Sequence, residues 1–156
     1  MIAHINIGSN RGDSMALIGQ AVAAIASHHP GASVRVSDPF VSPPWGFESE
    51  HDFTNVGVAL EVPDGTDPQA LMDELLCIQG KLSAMPHRNP DGTYRDRELD
   101  IDLIALGEMV LDTPRLTLPH PRMHLRPFVL VPLAQLAPSW GHPLLHLTAA
   151  ELLDTI

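Results

Sequence analysis

An acid pair stands in the stretch Arg97 to Leu103, where polar and apolar residues alternate strictly from Glu98 onward. Alternation of this kind predicts a β-strand with Asp100 and Asp102 on one face and apolar side chains on the other. Residues two apart in a strand lie roughly 6.5–7 Å apart, so the two carboxylates can converge on one cation or straddle two at about 3.5–4 Å. The spacing indicates metal-assisted chemistry, although the wet face of a half-buried strand would carry the same pattern without a metal.

Positive charge is concentrated around the acid pair. Mg²⁺ is usually held by one or two carboxylates together with substrate phosphates, and guanidinium groups bind the remaining phosphate oxygens. We therefore predict a triphosphate-binding site in this region, because a merely solvated surface would spread its cations. Seven of the nine Lys and Arg residues fall between positions 81 and 126: Lys81, Arg88, Arg95, Arg97, Arg115, Arg122 and Arg126.

Composition bounds the class of protein. A chain of 156 residues is predicted to form a single domain, residues 1–156. Its one cysteine, Cys77, excludes an internal disulfide, and its place in an apolar helical pattern predicts a packed thiol. The N-terminus has no basic leader and no apolar run approaches the roughly 18–20 residues of a membrane span, so we expect a cytoplasmic protein without membrane contact. A net charge of −10 argues against nucleic acid as a partner.

Periodicity and turn signals predict the elements that position the acid pair. Residues 4–7, 32–40, 53–62 and the acid-bearing stretch are expected to form strands, and the second and third of these are expected to pair. One helix is expected to run through Ile18 and Ile25. Another begins at Asp67, whose carboxylate can cap a helix that has Pro68 in its first turn. Its buried stripe is predicted to consist of Leu71, Leu75, Ile78 and Leu82.

The order β-α-β-β-α-β predicts an α+β fold, the ferredoxin-like sandwich, with an antiparallel sheet and both helices on one face. A long polar loop, residues 83–96, precedes the acid-bearing strand and is of the kind that covers a ligand. A C-terminal extension, residues 109–156, is predicted to add a short strand, a Pro-rich turn and a final helix that begins at Thr148.

Five short segments, in register over nearly the whole chain, resemble the 6-hydroxymethyl-7,8-dihydropterin pyrophosphokinase family of folate biosynthesis. The resemblance implies the ferredoxin-like fold and the transfer of an intact pyrophosphoryl group from ATP to the hydroxymethyl oxygen of the pterin, with release of AMP. Attack would fall on the β-phosphorus. ATP would be the co-substrate, with two Mg²⁺ ions, and the chain is expected to act as a monomer. The segments are residues 7–10, 42–46, 53–55, 97–102 and 119–128.

The same resemblance implies a role for individual residues. Asp100 and Asp102 match the two Mg²⁺ ligands, and together with Arg97, His120 and Arg126 they would form the catalytic set. The residues implied for ATP binding are Lys81, Arg88, Arg97, Leu103, Thr117, His120 and Arg126. Those implied for the pterin are Ser42, Pro44, Trp45, Phe53, Asn55 and Phe128, with the aromatic rings stacking on the flat substrate and the amide of Asn55 reading its polar edge.

The chain departs from the family at three positions. Leu76, Lys81 and Ser83 stand where the family usually has glutamate, arginine and arginine, so the grip on phosphate would have to come partly from the long loop, through His87, Arg88 or Arg95. These losses keep a second hypothesis open, a non-catalytic paralogue that binds nucleotide or pterin. The acid pair alone would also fit an unrelated two-metal phosphohydrolase. A zinc site at His120 and His124 is disfavoured because no third ligand stands at a recognisable spacing.

Overall fold

The structure is a computed structural model that describes residues 1–10, 13–43, 52–83 and 99–156. Within these ranges no helix is long and apolar enough to span a membrane. The elements are β1 (Ile2–Ser9), α1 (Ser14–His28), β2 (Val34–Val36), β3 (Phe40–Ser42), β4 (Phe53–Glu61), α2 (Pro68–Leu82), β5 (Asp100–Leu106), β6 (Leu111–Asp112), β7 (Thr117–Leu118), a 3-10 turn (Met123–Leu125), α3 (Pro127–Leu136) and α4 (Ala149–Asp154).

The central sheet has the strand order β2-β4-β1-β5, and β3 continues along the same edge of β4 as β2. Every pairing in it is antiparallel. This order places the first strand in the middle of the sheet and the acid-bearing strand at an edge, which confirms the predicted ferredoxin-like fold.

The main core lies between one face of the sheet and the helices α1 and α2. Alternate residues of β1, such as Ile5 and Ile7, point into it and are almost fully buried. They pack in one cluster with Ile18 of α1 and Leu75 of α2. The apolar residues predicted from periodicity therefore do hold both helices on the same face of the sheet.

The second face of the sheet is partly covered by α3 and α4, which enclose a smaller core around Ile104, Val129 and Leu130. The sequence predicted a short strand, a Pro-rich turn and one final helix for the extension, and this prediction missed α3. The helix is apolar on several sides and contains Pro132 in its interior, so it shows no simple amphipathic stripe. The helix is stabilised by its burial against β4 and α4, which requires no amphipathic periodicity.

Two helix starts predicted from capping residues are confirmed. The side chain of Asp67 accepts a hydrogen bond from the backbone N–H of Ala70 at 2.8 Å, with Pro68 in the first turn of α2. Thr148 begins α4, where it forms a reciprocal capping box with Glu151.

Three other predictions are corrected. Residues 32–40 do not form one strand, because Ser37 turns its hydroxyl onto the Gly57 N–H at 2.8 Å and the chain resumes pairing only at Phe40. The extension contains a hairpin of two short strands, β6 and β7, rather than one strand. Cys77 is exposed on α2, so its thiol is not packed in the core.

Gly57 is the point of closest approach between β4 and α3. A Cβ atom there would lie 3.0 Å from Pro132 Cβ and 3.4 Å from both the Pro132 backbone carbon and Leu136 Cδ1. Because the neighbours include helix backbone, Gly57→Ala is expected to push α3 off the sheet and to lower the free energy of unfolding by about 1–3 kcal/mol. Urea denaturation of the purified variant measures this.

Gly19→Ala is the matched control. Gly19 lies exposed inside α1, and nothing stands within 4 Å of a Cβ built there. The substitution should raise the free energy of unfolding by about 0.5–1 kcal/mol, since alanine loses less backbone freedom in a helix. Equal effects at both glycines would contradict the close-packing argument.

Candidate active site

The acid pair lies on the open part of the second sheet face. Asp100 and Asp102 are half-buried, whereas Leu99, Ile101 and Leu103 are at most 3% exposed. The alternation predicted from the sequence is therefore confirmed. Asp100 stands opposite Gly8 of β1, and Asp102 stands opposite Asn6.

A side chain of α2 holds the outer edge of the acid-bearing strand. The backbone N–H of Ile101, between the two acids, donates to Gln79 Oε1 at 2.8 Å. Because β5 is an edge strand, this N–H has no strand partner on that side, and the glutamine amide supplies its acceptor. Sequence reasoning missed Gln79, since an isolated glutamine on a helix gives no sign that it meets a strand.

His120 stands next to the acid pair. Its backbone N–H donates to Ile104 O at 2.8 Å, and its Nδ1 accepts from the Arg122 N–H at 3.2 Å, which leaves the proton of the neutral ring on Nε2. Burial lowers the pKa of His120, and the charges of Arg126 and Arg122 lower it further against the opposing effect of Asp102. The ring is thus neutral at pH 7 and offers an N–H donor.

Arg126 and Phe128 lie together at the start of α3. The guanidinium carbon of Arg126 is 5.6 Å from the centre of the Phe128 ring, a distance typical of a cation–π contact. Arg126 and Asp102 both lie near enough to His120 for their charges to act on its pKa, in opposite directions. The structure therefore brings together Asp102, His120 and Arg126, as the resemblance implied, and it adds Phe128 to the same group.

Three of the residues implied for the pterin, Ser42, Phe53 and Asn55, lie on the same face, on the far side of β1. Ser42 stands opposite Phe53, and Asn55 stands opposite both Phe40 and Gly8. Paired residues of neighbouring strands share a face, so Gly8 lies in one row with Asn55 on one side and Asp100 on the other. Strands are spaced about 4.8 Å apart, which puts β4 and β5 roughly 10 Å apart across β1.

Some implied residues lie elsewhere. Leu103 is buried in the core beneath the helices, so its side chain does not reach the face of the acids and only its main chain could contact a ligand there. Thr117 lies in the short strand β7, and Lys81 is exposed in the last turn of α2. Arg115, one of the clustered cations, pairs at 3.2 Å with Asp73 of α2.

Several implied residues fall outside the described ranges. They are Pro44, Trp45, His87, Arg88, Arg95 and Arg97. The hypothesis that the long loop supplies the missing phosphate contacts falls on the same residues and stays a prediction.

Asn6 is the main polar residue of the site that sequence reasoning left without a role. It is 5% exposed and contacts both Asn55 and the backbone of Phe128. The alternation of β1 could have indicated it, because that pattern puts Asn6 on the face opposite Ile5 and Ile7.

The donor set of the acid pair suits Mg²⁺. Two carboxylates on one face leave room for phosphate oxygens and water, which is how proteins commonly hold this ion. Among the described residues no group of three or more His, Cys, Asp or Glu side chains is arranged to hold a metal. Asp100 and Asp102 therefore fit an ion that arrives with a phosphate substrate, and they do not form a closed structural metal site.

Below the active site, His4 occupies a buried position between the sheet and Trp140, with ring centres 6.1 Å apart. Burial, helped by Arg35, lowers the pKa of His4 from 6.5 to about 4. In this pH interval the unfolded chain binds a proton that folded His4 does not bind. The stability that the neutral ring contributes is complete above pH 6.5 and is lost as the pH falls toward 4.

We expect His4→Phe, which keeps an aromatic ring against Trp140, to reduce the loss of stability on acidification by up to about 3 kcal/mol. Urea denaturation at pH 7.5 and pH 4.5 measures the difference. His120 and His142, whose pKa values are also lowered by burial, remain in both proteins and cancel in the comparison. His28→Gln, at an exposed position of α1, is the control. A wild-type pH dependence in His4→Phe would contradict the prediction.

Comparison with known proteins indicates a family. A family model described as 7,8-dihydro-6-hydroxymethylpterin-pyrophosphokinase (HPPK) matches residues 4–138. Curated relatives carry the name 2-amino-4-hydroxy-6-hydroxymethyldihydropteridine pyrophosphokinase. The protein of Porphyromonas gingivalis is 36% identical over 91% of this chain and 94% of its own length. The protein of Synechocystis is 34% identical over 99% of this chain and 75% of its own length, and that of Bacillus subtilis is 33% identical over 86% and 77%.

Solved structures show a similar fold. A crystal structure of HPPK-DHPS in complex with substrates has a TM-score of 0.69, with 13% sequence identity, and covers 99% of this chain. The wild-type HPPK-DHPS of Plasmodium falciparum has a TM-score of 0.70 at 13% identity. This chain spans 43–44% of the length of those two proteins. At this level of identity the structural likeness supports the fold alone.

Proposed function

This chain belongs to the 7,8-dihydro-6-hydroxymethylpterin-pyrophosphokinase family, and we propose that it transfers a pyrophosphoryl group from ATP to 6-hydroxymethyl-7,8-dihydropterin, giving AMP and the pterin diphosphate for folate biosynthesis. The observation that carries the proposal is the arrangement of one sheet face. Asp100 and Asp102 lie on the β5 side of β1, and Asn55 lies on the β4 side in the same row as Asp100.

This arrangement suits two substrates that meet over β1. ATP would lie with its phosphates beside the acids, and the pterin ring would lie against Asn55 and Phe128. The roughly 10 Å between β4 and β5 is short enough for a hydroxymethyl group on the ring to approach the β-phosphorus. The bond that forms joins the pterin oxygen to the β-phosphorus. The bond that breaks joins the β-phosphorus to the oxygen that leaves with AMP.

The chain's own groups would stabilise charge on the transferring phosphates. Arg126 offers a guanidinium fork, and neutral His120 offers its Nε2–H. Arg97, Arg88 and Lys81 are proposed to add cations from the loop side. Two Mg²⁺ ions held by Asp100 and Asp102 would supply further charge neutralisation when bound.

Leu76 bears on the competing hypothesis of a non-catalytic paralogue. Its side chain is 46% exposed on α2. The leucine that replaces the usual acid is therefore not buried in the core. Nothing in the structure explains this substitution. The acid pair, His120 and Arg126 still lie together, which favours catalysis over binding alone.

The decisive experiment follows AMP release by the purified protein from ATP and Mg²⁺, with and without the pterin. AMP that appears only with the pterin, and disappears with EDTA, would support the proposal and its Mg²⁺ dependence. Binding of pterin or ATP without any AMP would identify a non-catalytic paralogue. Nucleotide hydrolysis at the same rate without pterin would identify a phosphohydrolase. A single monomeric, cytoplasmic domain over residues 1–156 remains part of the proposal.

A further inference from the structure

Asn6 connects the two halves of the proposed pterin pocket. It lies in the central strand β1, opposite Gly57 on one side and Asp102 on the other. Its side chain is buried, yet both ends of its amide are hydrogen-bonded to residues that the resemblance assigns to the pterin. A buried amide with both ends paired has one fixed orientation.

The first partner is a backbone carbonyl that its own helix cannot satisfy. In an α-helix the carbonyl of Phe128 would accept from the N–H four residues later. That residue is Pro132, which has no N–H. Asn6 Nδ2 donates to Phe128 O at 3.0 Å and takes the place of the missing donor. The Asn6 side chain of β1 thus anchors the first turn of α3, which carries the Phe128 ring.

The second partner is Asn55, and its orientation follows from the first. A carbonyl can only accept, so Asn6 must turn Nδ2 toward Phe128 and Oδ1 toward Asn55. Asn55 must then present its own Nδ2, which donates to Asn6 Oδ1 at 2.8 Å. This leaves Asn55 Oδ1 as the atom of the amide that is not engaged by Asn6.

We propose that Asn6 is a positioning residue for substrate recognition, which fixes Asn55 as a hydrogen-bond acceptor toward the donor edge of a ring and holds Phe128 in place to stack on it. The inference rests on the proposed function, because it takes the pterin as the ring. A pterin carries an amino group and a ring N–H on its polar edge, and both are donors. An Asn55 amide free to rotate would offer an N–H to this edge half of the time.

The test compares Asn6→Leu with wild type. Leucine branches at Cγ as asparagine does, although it is larger, and it makes neither hydrogen bond. We expect the Kd for 6-hydroxymethylpterin, measured by fluorescence titration, to rise about tenfold, which corresponds to about 1.4 kcal/mol. The Kd for a non-hydrolysable ATP analogue with Mg²⁺ should change less than twofold. Thr54→Val, at a buried polar position on the opposite face of β4, is the control for a general loss of sheet stability.

A double-mutant cycle separates positioning from packing. In an Asn55→Ala background, Asn6→Leu should retain only the part of its effect that acts through Phe128, so the two substitutions should be clearly non-additive. Full additivity, or equal weakening of pterin and ATP binding by Asn6→Leu, would overturn the proposal. So would an unchanged pterin Kd in a folded variant. If wild type binds no pterin, the proposed function itself fails and the inference fails with it.

Should Asn6→Leu not fold, the wild-type protein provides the second measurement. The side-chain NH₂ protons of Asn6 and Asn55 should exchange slowly with solvent, and Asn55→Ala identifies the second pair of signals by their disappearance. Fast exchange of the Asn55 side-chain protons in wild type would show that Asn6 does not hold that amide, and would refute the proposal without any variant of Asn6.

Discussion

Replacing Asp102 by asparagine is expected to lower kcat for pterin-dependent AMP formation by about 10²- to 10³-fold. The substitution keeps the volume of the side chain and removes its charge. A metal ligand contributes several kcal/mol to the stabilisation of phosphate charge in the transition state, and each 1.36 kcal/mol is a factor of ten in rate. The free energy of unfolding should change little, because Asp102 lies half-buried on an open sheet face. A coupled AMP assay at saturating ATP and pterin measures the effect.

The matched control is Asp154→Asn, which removes an acid from the exposed end of α4, outside the site. It should leave kcat within about twofold of wild type. The apparent Mg²⁺ requirement should rise in Asp102→Asn and not in the control. A kcat in Asp102→Asn within threefold of wild type would remove Asp102 from the proposed metal site.

The parts of the fold that the sequence predicts are those governed by local rules. The alternation from Leu99 to Leu103 depends only on which face of a strand is exposed to solvent, and it correctly placed Asp100 and Asp102. The start of α2 depends on one carboxylate and one proline that stand side by side in the chain. Such signals need no knowledge of distant partners.

The helix α3 could not be predicted in the same way, because distant residues stabilise it. Pro132 breaks its hydrogen-bond ladder, and the lost donor is supplied by Asn6, 122 positions from its acceptor Phe128. Gly57 leaves space for the proline ring. None of Asn6, Gly57 and Pro132 indicates a helix by itself. The way they fit together appears only when β1, β4 and α3 are brought into contact.

The same limit explains why the sequence indicated only some residues of the candidate site. Asp100 was indicated by the alternation of its strand, and His120 and Arg126 were indicated by the resemblance to the family. Asn6 and Gln79 act through backbone groups of other elements, and no residue spacing records such a contact. Leu103 was implied by the resemblance, but alternation turns its side chain into the core.

Gly8→Ala is expected to raise the KM for the pterin by about 10- to 100-fold. A Cβ atom at position 8 would lie 2.5 Å from Asn55 Nδ2 and 3.2 Å from Asn55 Cγ. The obstructing atoms belong to a side chain, so the sheet can persist while the Asn55 amide is displaced from Asn6. Losing a buried amide hydrogen bond costs about 1–3 kcal/mol, which sets the expected range. Steady-state kinetics with the pterin varied at saturating ATP measures it.

The origin of that effect can be tested in the Asn55→Ala background, where no amide remains to be displaced. There Gly8→Ala should have little further effect on the KM for the pterin, because the two substitutions remove the same contact. The KM for ATP should change less than threefold in either background. An equal rise in the KM for ATP and the KM for the pterin in Gly8→Ala would mean that Gly8 affects the whole sheet face. The division of this face into a pterin side at Asn55 and a phosphate side at Asp100 would then be wrong.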